Sequence, residues 1–160
     1  MKEQKTNVMR VLEQKKIKYT PHSYPHGDGP VDGETVARLT GQNPDCVFKT
    51  LVTRGASRAN YVFVIPVLRE LDLKKAAKSV GEKSIEMIHV SELLPLTGYV
   101  RGGCSPIGMK KQFKTVFDES ALEQDAILVS AGRIGAQVEL SPRELMALVR
   151  GTACDVCVEE

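Results

Sequence analysis

The segment at residues 101–111, with the sequence RGGCSPIGMKK, is the feature that most limits how this chain can fold. Three glycines and one proline fall within the seven positions from Gly102 to Gly108. Glycine loses more conformational entropy on folding than any other residue, and proline has no N–H donor, so neither a helix nor a strand continues through this segment. We expect an irregular loop. The N–H groups of Gly102, Gly103 and Cys104 either hold a negatively charged oxygen, or the loop only connects two strands.

Length and composition bound the class of protein. The 160 residues are 42% hydrophobic and 26% charged, which is typical of one globular domain with a buried core. The first residues are polar with no apolar stretch behind them, and no apolar run approaches the roughly 18 residues that a membrane span needs. We therefore expect a single cytoplasmic domain over residues 1–160, with no secretory signal and no membrane contact.

Apolar spacing and turn residues predict strands that mostly follow one another as hairpins. Strands are predicted at residues 17–24, 46–53, 61–67, 85–90, 115–117, 126–130 and 137–140. Helices are predicted at residues 6–16, in a short stretch closed by Gly41, at residues 72–80, from Ser91 onward, and at residues 141–150. This order predicts an α+β fold with a largely antiparallel or mixed, barrel-like sheet and flanking helices.

A lysine interrupts the apolar strand predicted at residues 46–53. Alternation places Lys49 on the same face as Val47 and Leu51. A lysine in such a position extends to the rim, protects an exposed strand edge, or lies beside an anion. The strand alone leaves these alternatives open.

Net charge is only +2, but basic residues are clustered. Residues 1–80 hold 14 Lys/Arg against 8 Asp/Glu, a net charge of +6, and residues 81–160 have a net charge of −4. The basic clusters are Lys74, Lys75 and Lys78, followed by Arg101, Lys110, Lys111 and Lys114. If they converge, they form a surface of the kind that binds nucleic acid; otherwise each is a solvated face.

Other catalytic signals are weak. Cys154 and Cys157 have the spacing of a metal or redox pair, but residues three apart on a strand point to opposite faces, so we expect no metal site and no disulfide. No Ser–His–Asp or His–Cys arrangement and no phosphate-binding loop is visible. Ser130 ends a strand at a turn, where a serine commonly stabilises the turn. An enzyme with this sequence would lack an obvious pair of nucleophile and base.

Five segments in the same order resemble the YbaK family of free-standing Cys-tRNA(Pro) deacylases, over the chain from about residue 8 to its end. They are residues 47–52 (VFKTLV), 71–78 (LDLKKAAK), 97–99 (TGY), 102–111 (GGCSPIGMKK) and 129–132 (VSAG). The wider superfamily includes the editing insertion of bacterial prolyl-tRNA synthetase and free-standing Ala-tRNA(Pro) deacylases. The resemblance implies the YbaK-like fold.

The resemblance also implies a site. Lys49 corresponds to the family's central lysine, and Gly102 and Gly103 correspond to the glycines that approach the aminoacyl carbonyl. The implied substrate-binding residues are Tyr24, Thr50, Cys104, Ser130 and Gln137. Cys104 is interpreted as a packing residue rather than a nucleophile. The chain departs from the family at Asp32, where well-known members have an aromatic residue, and at Gln137, where some have an acid.

The implied function is deacylation of mischarged Cys-tRNA(Pro), and also of Cys-tRNA(Cys), by attack of the substrate's own thiol on its ester. Lys49 would hold the terminal ribose or its phosphate, and Lys74, Lys75, Lys78, Arg101, Lys110 and Lys111 would follow the tRNA backbone. No metal or organic cofactor is expected. An Ala-tRNA(Pro) deacylase that uses a bound water and a non-catalytic aminoacyl-tRNA-binding module remain alternatives. The sequence leaves open whether prolyl-tRNA synthetase is a partner.

Overall fold

Two β-sheets and five α-helices form the protein in a computed structural model that describes residues 5–27 and 29–159. The helices are α1 (Asn7–Gln14), α2 (Gly33–Thr40), α3 (Leu73–Val80), α4 (Val90–Thr97) and α5 (Pro142–Val149). The strands are β1 (Thr20–Ser23), β2 (Phe48–Gly55), β3 (Asn60–Pro66), β4 (Ile85–Met87), β5 (Lys114–Asp118), β6 (Ile127–Ser130), β7 (Ala136–Leu140) and β8 (Thr152–Cys154). Short 3-10 helices lie at Pro44–Cys46 and Glu119–Glu123.

The helix ends follow local capping rules. The Asp72 carboxylate accepts hydrogen bonds from the first backbone N–H groups of α3, and Gly81 ends this helix in the left-handed conformation, at φ 72°. The Ser141 hydroxyl accepts from the Glu144 N–H at the start of α5. Both helix starts were predicted from the sequence and are confirmed.

The strands are arranged as a five-stranded sheet in the order β4-β2-β3-β5-β8 and a three-stranded sheet in the order β1-β7-β6. The hairpins β2–β3 and β6–β7 are antiparallel, whereas β5 is parallel to both β3 and β8. A parallel bridge between Val47 and Leu128 connects the two sheets. The predicted α+β class with a mixed sheet and flanking helices is confirmed.

Part of one edge of β2 has no strand partner in the described part of the chain. Because β3 pairs with β2 all the way from Phe48 to Arg54, β4 and the bridge to Leu128 must share the opposite edge. There, β4 pairs only with residues 53–55, and β6 reaches only Val47. The stretch at residues 48–51, called the open edge below, lies between them.

The faces of the five-stranded sheet cover two hydrophobic cores. Val62 and Val64 of β3 point into the first core, between the sheets, together with α1, α5 and residues 104–109 of the glycine loop. Phe63 and Ile65 point into the second core, which α3 covers. A small third cluster packs Ala37 of α2 on the bridged pair Val47 and Leu128.

Several predicted strand boundaries are wrong. The strand predicted at residues 17–24 begins only at Thr20, and the one predicted at residues 85–90 ends at Met87, because α4 already starts at Val90. The final segment also differs from the expected strand, since the chain leaves β8 after Cys154. Cys154 and Cys157 therefore both pack at the second core rather than on opposite faces of a strand.

The helices of the described residues are all short. Each of the five α-helices has eight residues, so no described helix is long enough to cross a membrane.

The C-terminal segment is held to the sheet by a buried carboxylate. Asp118 is 2% exposed, and its carboxylate accepts hydrogen bonds from the Ser120 hydroxyl and N–H and from the Val156 N–H. Burial alone would raise the pKa of Asp118, but these hydrogen bonds favour the charged form and lower it.

We expect Asp118→Asn to lower the free energy of unfolding at pH 7 by about 1.5–3 kcal/mol, since hydrogen bonds to a charged acceptor become neutral ones. A lowered pKa gives stability that is present above the unfolded value of 3.8 and is lost as pH falls through the folded value. The difference between wild type and variant should therefore shrink in acid, as measured by urea denaturation from pH 7 to pH 3.

The exposed Asp125 provides the control, and Asp125→Asn should change stability by less than about 0.5 kcal/mol. A wild-type advantage over Asp118→Asn that stays constant down to pH 3 would contradict the role assigned to the charge.

Candidate active site

A cavity of about 120 Å³ lies at the open edge of β2. Strands β2, β6 and β7, helix α2, the glycine loop and the segment after β1 all contribute to its wall. Seven residues predicted from the sequence line it: Tyr24, Lys49, Thr50, Gly102, Cys104, Ser130 and Gln137. The remaining wall is formed by Val31, Gly33, Val36, Val47, Phe48 and Val67.

Lys49 is the only cationic side chain in this described wall, and it is half-buried. Burial lowers the pKa of Lys49, and the negative charge of Glu70 offsets this only in part. Among the described residues, its ammonium group forms no hydrogen bond and no ion pair. A half-buried cation without a partner is well placed to bind an anionic or strongly polar group of a ligand.

Two further polar groups in the wall also lack partners. The Thr50 hydroxyl oxygen and the Gln137 side-chain oxygen are buried, and neither has a hydrogen-bond partner among the described residues. Gln137 is only 6% exposed. A buried polar atom without a partner costs about 1–3 kcal/mol, and a ligand that supplies the missing hydrogen bond recovers this free energy.

The glycine loop reaches the cavity by packing closely on two other loops. Gly102 has φ 86°, and a Cβ there would lie 2.7 Å from the Cβ of Pro30. At Gly103, a Cβ would lie 2.9 Å from the Cα of Arg133. Both positions thus require glycine for loop packing, a reason that the sequence did not reveal.

The expected role of Gly103 needs correction. Its N–H donates to the Val100 carbonyl at 2.9 Å, so it is not free to stabilise an oxyanion, and Gly103 does not line the cavity. The N–H groups of Gly102 and Cys104 have no acceptor within the described part of the chain. Only these two of the three predicted donors are available to a ligand.

Cys104 and Ser130 have structural roles besides lining the cavity. Cys104 is 9% exposed, and burial raises the pKa of its thiol to about 12, so it is protonated at neutral pH and a poor nucleophile. The Ser130 hydroxyl accepts from the Gly132 N–H at 3.1 Å and stabilises the turn, as expected from the sequence.

Val31, in the loop before α2, and Gly33, the first residue of α2, also line the wall, and no sequence signal marked either of them. A Cβ on Gly33 would lie 2.4 Å from Cγ1 of Val67, so α2 packs on the sheet only with glycine there. Asp32 does not line the cavity. Its carboxylate accepts from the N–H and the hydroxyl of Thr35, and these hydrogen bonds cap α2 and lower the pKa of Asp32.

The two basic clusters do not converge, which excludes the alternative of one continuous basic surface. Lys74, Lys75 and Lys78 belong to α3, over the second core, whereas the glycine loop carrying Arg101 packs into the first core on the other face of the sheet.

Lys75 is also engaged within the protein. Its ammonium group donates to both carboxylate oxygens of Asp155 and to the Cys157 carbonyl, and the hydrogen bonds with Asp155 raise its pKa. Lys75 therefore holds the C-terminal segment against α3. Arg101, Lys110 and Lys111 remain exposed on the side of the glycine loop.

The described residues of the cavity are suited to binding and orienting a ligand. They are less suited to a reaction in which a side chain of the protein is the nucleophile. They contain no group of three His, Cys, Asp or Glu that could hold a metal ion. The cavity wall offers one cation, two free N–H groups and two unpaired polar oxygens, but no imidazole and no carboxylate.

We expect Gly103→Ala to lower the free energy of unfolding by about 1–3 kcal/mol, because the added Cβ meets the rigid backbone of Arg133 and Ile134 at 2.9–3.0 Å. Urea denaturation measures this loss. Gly29→Ala is the matched control, since a Cβ at Gly29 meets nothing within 4 Å. Equal effects of the two substitutions would refute the packing role of Gly103.

Comparison with known proteins identifies the family of this chain. The sequence profile described as the aminoacyl-tRNA editing domain matches residues 31–148. A protein of Enterococcus faecalis, provisionally named Cys-tRNA(Pro)/Cys-tRNA(Cys) deacylase EbsC, is 46% identical over 158 residues, covering 99% of this chain and 96% of the relative.

Among solved structures, a proposed trans-editing enzyme for prolyl-tRNA synthetase matches with a TM-score of 0.82 and 25% identity over 95% of each chain. The hypothetical protein APE2540 shares the fold, with a TM-score of 0.84 and 24% identity over 94% of this chain and 99% of that one. The match to the domain profile and the extent of the sequence identity confirm the predicted resemblance: the chain belongs to the aminoacyl-tRNA editing domain family.

Proposed function

We propose that the protein deacylates tRNA(Pro) mischarged with cysteine, and also Cys-tRNA(Cys), with the thiol of the bound cysteine as the nucleophile. The observation that carries the proposal is the composition of the cavity wall. It holds an unpaired cation and unpaired polar oxygens, yet it offers no protein nucleophile activated by a base. A substrate that brings its own nucleophile fits such a site.

The comparisons support the choice of substrate. The relative at 46% identity is named for Cys-tRNA(Pro) and Cys-tRNA(Cys), and the two chains align over almost their full lengths. The volume of about 120 Å³ equals that of roughly four water molecules, which suits a small amino acid.

In the proposed reaction, the sulfur of the substrate attacks its own ester carbonyl carbon. The thiol proton is lost, the carbonyl oxygen takes up negative charge, and the bond to the ribose oxygen then breaks. The products are a cyclic thiolactone and a tRNA whose terminal hydroxyl has regained a proton. The protein contributes by fixing the thiol and carbonyl in a reactive geometry and by stabilising the oxyanion.

The residues of the site divide these tasks. The N–H groups of Gly102 and Cys104 stabilise the oxyanion, and Lys49 holds the terminal ribose or its phosphate as a point charge. The oxygen of Gln137 accepts a hydrogen bond from the substrate's ammonium group. Since Gln137 is neutral, this contact orients the amino group without the stronger attraction of a carboxylate.

Arg101, Lys110 and Lys111 attract the acceptor end of the tRNA through its phosphates, which carry no sequence information. The protein would therefore work on charged tRNA in the cytoplasm, alone or docked on prolyl-tRNA synthetase, which supplies the mischarged substrate. Adding that synthetase to a deacylation assay distinguishes the two modes.

We expect Lys49→Met to reduce kcat/KM for Cys-tRNA(Pro) by roughly 10- to 100-fold, because a contact with a charged group contributes about 1.5–3 kcal/mol. Burial lowers the pKa of Lys49, so the charged form is disfavoured in the folded state. Methionine is an unbranched side chain only one atom shorter than lysine and carries no charge, so the variant should be at least as stable as the wild type. Release of labelled cysteine and thermal unfolding measure the two effects, and equal deacylation rates would exclude the assigned role.

We expect tRNA(Pro) charged with S-methylcysteine to resist cleavage, because its sulfur has no proton to lose and is blocked as a nucleophile. Alanine on the same tRNA should also remain attached. The measurement is release of each labelled amino acid from the same tRNA. Rapid release of alanine would favour the alternative of a bound water, and tight binding of all three without release would favour a non-catalytic binding module.

A further inference from the structure

A second cavity, of about 400 Å³, lies beside the first and is called the adjoining groove. It is formed by β2, the end of β4 and the start of α4. Its apolar wall consists of Leu51, Val52, Met87, Ile88, Val90 and Leu93, and its polar residues include His89 and Arg101.

The groove and the first cavity share a wall. Thr50, Gly102 and Cys104 line both of them, so a ligand that leaves the first cavity across these residues enters the groove directly. Two of these residues, Gly102 and Cys104, carry the free N–H groups assigned above to the reacting carbonyl. The groove therefore begins where the ester bond of the substrate would lie.

The two volumes suit different parts of one substrate. Cavities that bind drug-sized molecules or cofactors measure about 300–1,000 Å³, a range that includes the groove at about 400 Å³ but not the first cavity at about 120 Å³. An aminoacyl group fits the smaller space. The nucleoside esterified to it needs the larger one.

The surface chemistry of the groove suits a nucleobase. Val90 is 62% exposed and Met87 is 45% exposed, so the groove exposes apolar side chains to water. A ligand that covers these side chains removes apolar surface from water, which favours binding. Nucleobases taken out of a stack are commonly held between apolar side chains. Arg101, at the same groove, supplies a guanidinium that pairs with a phosphate.

We propose that the adjoining groove binds the 3′-terminal adenosine of the aminoacylated tRNA, with the base against Met87 and Val90 and the phosphate on its 5′ side near Arg101. This assignment rests on the proposed function, because the aminoacyl group is placed in the first cavity. Apolar side chains contact a base without distinguishing it from other bases. Such a contact is sufficient here, because every tRNA ends in the same nucleoside.

A different exit from the first cavity passes Tyr24. It leads to an open surface around Pro25, His26 and Arg133, and that surface shares only Tyr24 with the first cavity. The groove shares three residues with the first cavity and has the more apolar wall, so the observations favour it. The experiment below distinguishes the two routes.

Binding of adenosine 5′-monophosphate, followed by NMR on methyl-labelled protein, tests the groove without any chemistry. The signals of Met87, Ile88 and Val90 should shift, and Val90→Asp should weaken binding at least fivefold. An acidic residue at the first position of α4 is favourable for a helix, so the variant should fold. Val158→Asp is the matched control, because it adds the same charge at another exposed valine. Val158 is 42% exposed and lies in the C-terminal segment.

Shifts confined to the Ile134 methyl groups, equal effects of the two variants, or no binding at millimolar nucleotide would overturn the assignment. A second readout compares 3′-cysteinyl-adenosine with cysteine ethyl ester, which lacks the nucleoside. The ratio of their kcat/KM values should fall about tenfold in Val90→Asp and stay the same in Val158→Asp. If the nucleotide binds in the groove but no ester is cleaved, the proposed function fails and the groove assignment stands.

Discussion

The site depends on the way in which two strands, β4 and β6, contact only the two ends of one edge of β2. With β3 occupying the other edge, β4 and β6 approach β2 from the same side but meet it at opposite ends. The main chain at residues 48–51 is left between them. A strand edge inside a protein must be covered, and here α2 and the glycine loop cover it only in part. The cavity is the space that remains.

The polar groups around this space reduce the stability of the empty protein. An ammonium group is held where burial lowers its pKa, and the oxygens of Thr50 and Gln137 are buried without partners. Each feature would be removed by selection for stability alone. Their presence in one cavity, while other buried polar groups such as Asp118 are fully bonded, is the pattern expected of a binding site.

Local features were predictable from the sequence, and contacts between distant segments were not. The start of α3 at Asp72 and the hairpin β2–β3 follow from neighbouring residues alone. The parallel pairing of β5 with β3 and β8 joins segments far apart in sequence, and no local pattern encodes it. The same limit explains Lys75, whose bond to Asp155 crosses 80 positions of sequence.

The candidate site shows the same division. The alternation of side chains along β2 predicted that Lys49 and Thr50 lie on opposite faces of the strand. The resemblance to the family named the seven predicted residues that line the cavity. The loop motif predicted close backbone approach at Gly102 and Gly103, but the neighbours that require it, Pro30 and Arg133, come from other loops. Val31 and Gly33 carried no signal, because only the packing of α2 brings them to the cavity.

The small volume of the cavity has a consequence for discrimination. A small cavity rejects side chains that are too large, but it cannot reject smaller ones, so glycine and alanine would enter as easily as cysteine. Under the proposed chemistry these smaller residues stay attached, because they bring no sulfur. The size of the cavity then excludes amino acids larger than cysteine, and the need for a thiol excludes smaller ones from cleavage. One cavity therefore applies both criteria.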